Sequence, residues 1–300
     1  MRMGIDLGGT KMEVVAMDQM GEVRGRIRVS TPQEYPDIIA GLVKLRDRLE
    51  REVGPIQTIG VGTPGCLCPH TGLIKNAYNT ALQGHMLDRD LEVAMKRPIR
   101  VANDANCFAL SEATDGAGAE QDVVVGVILG TGVGAGLVIN GKVLHGRNAI
   151  AGEWGHNPLP GIDADGERRP VCTCGRRGCI EAYLSGPAMR RDHLERTGAD
   201  ISAKTIANLA EAGDEEAQKT LERYGDRLAR ALAAVINFID PDVIVLGGGV
   251  SQIPALYRHV KSRWGEHVFS DRVDTELLPN RFGDSSGVRG AAWLWSRDLD

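Results

Sequence analysis

Two stretches of the chain read alike: Gly4-Ile5-Asp6-Leu7-Gly8-Gly9-Thr10-Lys11-Met12-Glu13-Val14-Val15-Ala16, and Val127-Ile128-Leu129-Gly130-Thr131-Gly132-Val133-Gly134-Ala135-Gly136-Leu137-Val138. Each reads as an apolar strand, a glycine-rich turn and a second apolar strand. A polar turn and a third strand follow in both. Leu7-Gly8-Gly9-Thr10 aligns with Leu129-Gly130-Thr131-Gly132, and Met20-Gly21-Glu22-Val23 with Asn140-Gly141-Lys142-Val143. The second copy is shorter at the polar turn, where a hairpin tolerates a change of length most easily. Two copies imply two domains of similar topology.

The segments around the repeat extend this reading. Residues 37–53 carry Ile38, Leu42, Leu45 and Leu49 at helical spacing, with charges on the opposite face. Residues 56–61 and 99–102 are short apolar runs that suit buried strands. Residues 203–212 and 215–239 read as helices, and Asp240-Pro241 stops the second, because proline disfavours helical geometry in the residue before it. Residues 243–246 form another buried strand, running into Gly247-Gly248-Gly249, and residues 287–295 read as a final helix. Strands alternating with helices predict an α/β protein with largely parallel sheets. The expected division is a smaller domain over residues 1–116, completed by a C-terminal helix at 288–300, and a larger domain over 117–287.

Bulk properties exclude several classes. A chain of 300 residues exceeds the usual ~100–200 residues of one domain. Aromatic residues are scarce at 4% while glycine is abundant, so the core is aliphatic and the turns are many. A net charge of −5 gives no basic footprint for nucleic acid, and no apolar run nears the ~18 residues needed to span a bilayer. A strand begins almost at Met1, which leaves no room for a signal peptide, so a cytoplasmic location is expected.

The glycine turns carry the first chemical signal. Asp6, Gly8, Gly9, Thr10 and Lys11 combine close backbone approach to an anion with a hydroxyl and a cation, and Asp6 could hold a magnesium-bound water. Gly130, Thr131 and Gly132 form a second cradle, and Gly248 with Gly249 a third. Taken singly, each is more simply a tight turn. Three cradles, two at matching places in a repeat, favour a nucleotide clamped between similar domains. None has P-loop spacing.

Asn103-Asp104-Ala105-Asn106 follows a short strand and precedes a helical stretch. The plainer reading is a helix cap; the functional one is a general base for a sugar hydroxyl, since phosphoryl transfer needs mainly alignment and charge neutralisation. Both hold if different residues take the two roles. His156 with Cys172, Cys174 and Cys179 offers one imidazole and three thiolates, a donor set for structural zinc. Glu153 and Glu181 flank it and suit vicinal sugar hydroxyls. Cys66, Cys68 and Cys107 are read as structural.

Together these residues resemble the repressor/open-reading-frame/kinase (ROK) family of bacterial sugar kinases and regulators, over essentially the whole chain. Within that family the chain looks like a fructokinase or manno(fructo)kinase. The motifs are residues 6–11, Gly62-Thr63-Pro64-Gly65, Asn103-Asp104-Ala105-Asn106, Gly130-Thr131-Gly132, Glu153-Trp154-Gly155-His156, the cysteine loop, and residues 283–292. The cysteine loop with Glu-x-Gly-His is highly specific, whereas the first glycine loop is shared across the actin-like superfamily.

The resemblance implies the actin-like ATPase (ribonuclease H-like) fold, with two similar domains about a hinge cleft that closes over the sugar. It implies MgATP held by Asp6, Gly8, Gly9, Thr10, Lys11, Gly130, Thr131, Gly132, Gly248 and Gly249. Asp104 would be the general base for the hexose 6-hydroxyl, and Gly65, Asn79, Asn103, Glu153, His156 and Glu181 would hold the sugar. It implies zinc on His156, Cys172, Cys174 and Cys179, and a homodimer. The stretch Asn76-Ala77-Tyr78-Asn79-Thr80 departs from the pattern of the glucose- and N-acetylglucosamine-type members, which leans away from glucokinase; with the likeness to fructokinases, fructose is expected first and mannose second. The alternatives are a glucose or N-acetylglucosamine kinase and, in other classes, a sugar-sensing transcriptional regulator or a non-catalytic sugar-binding protein.

Overall fold

The structure is a computed structural model that describes residues 1–77, 80–161 and 168–295. The first repeat forms β1 (Arg2–Leu7), β2 (Lys11–Met17) and β3 (Val23–Ser30). After α1 (Tyr35–Val53) come β4 (Thr58–Thr63) and the short ribbon β5 (Cys66–Leu67) and β6 (Ile74–Lys75). Then follow α2 (Leu87–Met95), β7 (Ile99–Asn103) and α3 (Asp104–Thr114). The sheet order is β3-β2-β1-β4-β7, antiparallel through the hairpins and parallel from β1 through β4 to β7.

The second repeat forms β8 (Val123–Leu129), β9 (Val133–Ile139) and β10 (Lys142–Val143). Four helices follow: α4 (Glu181–Leu184), α5 (Gly186–Thr197), α6 (Ala203–Glu211) and α7 (Glu215–Ile239). The chain ends with β11 (Val243–Gly247), α8 (Pro254–Arg263), β12 (Glu276–Pro279) and α9 (Ser286–Trp293). The second sheet has the order β10-β9-β8-β11-β12, and β11 runs parallel to both β8 and β12. An antiparallel edge hairpin followed by parallel strands, built twice in the same order, is the duplicated α/β unit of the actin-like ATPase fold.

Two compact units result. One comprises Met1–Glu120, Gly136–Ala151 and Arg281–Asp300, the other Gln121–Ala135 and Gly152–Asn280. Within the first, Met3, Ile5 and Leu7 of β1 pack with Ile59 and Val61 of β4 and the buried face of α1, namely Ile38, Leu42, Leu45 and Leu49. The other face of the sheet is covered at very close range by α9. A Cβ on Gly4 would lie 2.0 Å from the Val288 carbonyl oxygen, and one on Gly60 1.9 Å from that of Ala291. Only glycine on those strands admits the helix.

In the second unit α7 contributes a buried stripe that includes Leu221, Tyr224, Leu228, Leu232 and Ile236. It starts where the Asp214 carboxylate accepts a hydrogen bond from Ala217 N (2.8 Å). It ends where Asp240 turns left-handed (φ 49°) before Pro241. Among the described residues no helix is long and apolar enough to cross a membrane.

Candidate active site

In the first unit the candidate residues gather at the carboxyl ends of the three parallel strands, the place where α/β sheets bind ligands. Asp6 is paired with Gly62, and Thr63 with Asn103, so β1, β4 and β7 end side by side. The β1–β2 turn is closed by Gly8 N donating to Lys11 O (3.0 Å), and Gly9, Thr10 and Lys11 are exposed. Thr31 holds this turn from the other side. Its hydroxyl donates to Gly8 O (2.7 Å) and its N–H to Thr10 O (3.0 Å). Sequence reasoning missed Thr31, since a threonine just beyond a strand carries no motif.

Asn103 and Asp104 divide the two readings of their tetrad. Asn103 is the cap of α3: its Oδ1 accepts from Ala105 N (2.9 Å), and its Nδ2 donates to Gly65 O (3.2 Å). Gly65 is left-handed (φ 73°), and a Cβ there would meet Lys75 O at 2.1 Å, so the residue is confined to glycine. Asp104 is the first residue of the helix, is exposed, and accepts from Ala105 N (2.8 Å). A carboxylate at a helix start is favoured by the positive end of the helix dipole.

Asp6 is largely buried and its carboxyl is pushed up to about 6, chiefly by burial, with Asp104 and Glu13 adding repulsion and Arg28 opposing it. Magnesium held near Asp6 would relieve the repulsion between these carboxylates. Glu13 is itself neutralised by Arg26 (2.6 Å) and by Arg28. Cys107 is fully buried, with a thiol raised well above its usual range by that burial, and carries no reactive character. Asn79 lies outside the described residues.

The second unit holds the other candidates. Gly130 N donates to Gly132 O (3.0 Å) in the β8–β9 turn. Gly247 of β11 pairs with Ile128 of β8, which brings the third glycine stretch beside the second. Gly248 is left-handed (φ 83°), and a Cβ on it would lie 2.5 Å from Leu129 O. Gly249 and Thr131 are exposed, so two backbone cradles open to solvent at adjacent strand ends.

Glu153, Trp154, Gly155 and His156 form one 3-10 turn, anchored by Trp154 Nε1 donating to Ala231 O (3.3 Å). His156 Nδ1 lies 3.5 Å from Cys172 Sγ, and its Nε2 lies 4.0 Å from Glu153 Oε2. The donor atoms of His156, Cys172, Cys174 and Cys179 all fall within 4.8 Å of one another. Cys174 Sγ and Cys179 Sγ are 3.7 Å apart, close to the edge of about 3.8 Å that a tetrahedron with ~2.3 Å zinc–sulfur bonds requires. Left-handed Gly175 (φ 84°) and Gly178 (φ 77°) turn the loop, and Cys172 N donates to Arg176 O (2.7 Å). Burial and the neighbouring thiols push Cys179 up to about 12, so the cluster resists ionising together without a cation. Three sulfurs, one imidazole and this spacing fit zinc in a closed, structural site. All six cysteines are free of disulfides.

Glu181, the first residue of α4, points one carboxylate oxygen at Val133 N (3.0 Å) and the other at Thr173 Oγ1 (2.5 Å). Neither partner carries a motif of its own; the one sequence signal for Thr173 is a hydroxyl lodged between two cysteines of the candidate metal loop.

The duplicated sheet order puts the chain in the actin-like class. Comparison with known proteins gives the family: the chain matches the ROK family over residues 2–298, and it belongs to that family. It is 37% identical over 297 residues to the N-acetyl-D-glucosamine kinase of Photobacterium profundum, covering 97% of this chain and 98% of that one. A ROK hexokinase from Thermus thermophilus superposes with a TM-score of 0.85 at 32% identity, over 97% of this chain and 96% of that one. A ROK-family glucokinase from Streptomyces griseus, in complex with glucose and AMPPNP, gives a TM-score of 0.81 at 27% identity, over 98% of each chain.

Proposed function

We propose that this protein transfers the γ-phosphoryl group of ATP to the 6-hydroxyl of a hexose. The observation that carries the reading is Asp104: an exposed carboxylate at the start of α3, beside the Asn103–Gly65 bridge and at the same strand ends as Asp6 and the first glycine turn. Asp104 accepts the hydroxyl proton as the sugar oxygen bonds to the γ-phosphorus and the bond from that phosphorus to the β–γ bridging oxygen breaks, releasing ADP. A general base in this role contributes ~10²–10⁴ to the rate.

Residues 8–11, 130–132 and 248–249 are assigned to the triphosphate, and Asp6 would stand near the magnesium that would neutralise its charge. Gly65, Asn103, Glu153, His156 and Glu181 hold the sugar, and Asn79 is retained as a further candidate contact. His156, Cys172, Cys174 and Cys179 would hold zinc, which would fix the imidazole ring so that Nε2 and Glu153 present a defined pair to vicinal hydroxyls.

N-acetylglucosamine is the first substrate in this reading. The near-full-length similarity to N-acetyl-D-glucosamine kinases supports it above fructose and mannose, the sugars that the resemblance to fructokinases puts first. A coupled ADP-release assay with MgATP against N-acetylglucosamine, glucose, mannose and fructose tests the order. Turnover led by fructose would return the preference to the ketose. A homodimer, implied by the resemblance, is read by light scattering.

A further inference from the structure

The metal loop and the second phosphate turn are tied together through one carboxylate. Glu181 begins α4 just after Cys179, and Ala182 N donates to Cys179 O (2.9 Å), so the position of that cysteine sets where the helix starts. From there Glu181 Oε2 accepts the backbone N–H of Val133 at 3.0 Å, and Oε1 accepts the hydroxyl of Thr173 at 2.5 Å. Thr173 stands between the proposed ligands Cys172 and Cys174. Its side chain is on an exposed loop, yet its hydroxyl turns inward to the carboxylate.

The turn is built to receive this contact. A Cβ on Gly132 would sit 2.8 Å from Glu181 Oε2, so glycine leaves the room in which the carboxylate reaches Val133 N. A second tie comes from the same segment: Gly186 N donates to Gly130 O at 2.8 Å. Residues 130–133 are therefore gripped at both ends by residues 181 and 186, and those residues follow directly from the last cysteine. Hydrogen bonds to an ionised group are the stronger kind, and a carboxylate with each oxygen engaged loses its freedom to rotate.

We infer that Thr173 and Glu181 couple occupancy of the cysteine–histidine site to the order of the 130–133 turn, so that the metal preorganises a nucleotide-binding loop as well as the sugar side. Thr173 is a positioning residue in this scheme, acting through Glu181. The inference rests on the proposed function in assigning the turn to the nucleotide.

Hydrogen exchange on the full chain, read peptide by peptide, tests it. The zinc-loaded protein is compared with chelator-treated protein and with Thr173→Val, whose metal content is measured in parallel. Chelation should speed exchange on the order of ten-fold in residues 130–134 as well as in 172–179. Thr173→Val, with its metal retained, should speed 130–134 while leaving 172–179 protected, and Thr173→Ser should restore the turn. Unchanged exchange at 130–134 under both treatments would overturn the coupling. If Thr173→Val loses its metal, the chelated and loaded forms of Thr173→Ser take its place in the comparison, and an unchanged turn between them has the same meaning. Adding AMPPNP with magnesium separates this from the parent reading: failure of the nucleotide to protect 130–134 in the loaded wild type would remove the turn from the nucleotide site, whatever the metal does.

Discussion

Asn103 and Gly65 share one side-chain amide: Nδ2 of Asn103 donates to the Gly65 carbonyl at 3.2 Å while its Oδ1 caps α3 through Ala105 N. The same residue thus sets the start of the helix that presents Asp104 and fixes the loop after β4. The two functions separate by substitution. Asn103→Asp keeps the capping oxygen and loses the donor, so stability should hold while the hexose KM rises. Asn103→Ala loses both and should cost about 1 kcal/mol of stability besides. Chemical denaturation run beside steady-state kinetics reads the two effects.

The environment of Asp6 predicts a pH dependence with a definite sign. Its carboxyl is raised from 3.8 to about 6, mainly by burial. Between those values the folded chain keeps a proton that the unfolded chain has released, so stability falls as pH rises and stays lower above about 6. Asp6→Asn removes the effect. In magnesium-free buffer its denaturation midpoint should gain on wild type from about pH 4 to about pH 7. A constant difference across that range would contradict the burial-driven shift.

Metal content should be one zinc per chain in the purified protein. Stripping it, or making Cys174→Ser, should lower the thermal midpoint and weaken hexose binding, because the ring of His156 loses the bond that orients it. Elemental analysis with titration calorimetry checks both, and full hexose affinity in a zinc-free chain would separate the metal from the sugar.

The close seat of α9 on the first sheet predicts that Gly60→Ala destabilises the protein by at least ~1–3 kcal/mol, the range for forcing volume into a packed interface. A Cβ there meets backbone at 1.9 Å, which leaves no flexible neighbour to yield. Urea unfolding measures it; an unchanged midpoint would mean that the helix sits less tightly.

Much of the fold was legible because the repeat carries it. The order β3-β2-β1-β4-β7 returning as β10-β9-β8-β11-β12 is the spatial form of Leu7-Gly8-Gly9-Thr10 matching Leu129-Gly130-Thr131-Gly132. Helix α7 was readable to its last residue, since the buried stripe is continuous and Asp240-Pro241 closes it. Elements without such signals went unread. Helix α5 buries only Ala188, Met189 and His193 among many charges and opens on Gly-Pro, which reads as a turn. Helix α8 buries only Leu256 and Val260, and β12 is four residues ending in proline. At the site, local chemistry was visible as motif, as in the cysteine loop. Contacts such as Glu181 with Val133, 48 residues apart, follow no local pattern and needed the folded chain.

The central claim is that Asp104 is the base in an ATP-dependent hexose phosphorylation, and it is tested most directly by comparing wild type with Asp104→Asn. Hexose-dependent ADP release is measured, together with hexose affinity by calorimetry. The account predicts unchanged hexose binding and a fall in kcat of ~10²–10⁴. Turnover near wild type in Asp104→Asn, or no hexose-dependent ADP release by the folded, zinc-loaded wild type on any of the four sugars, would contradict it.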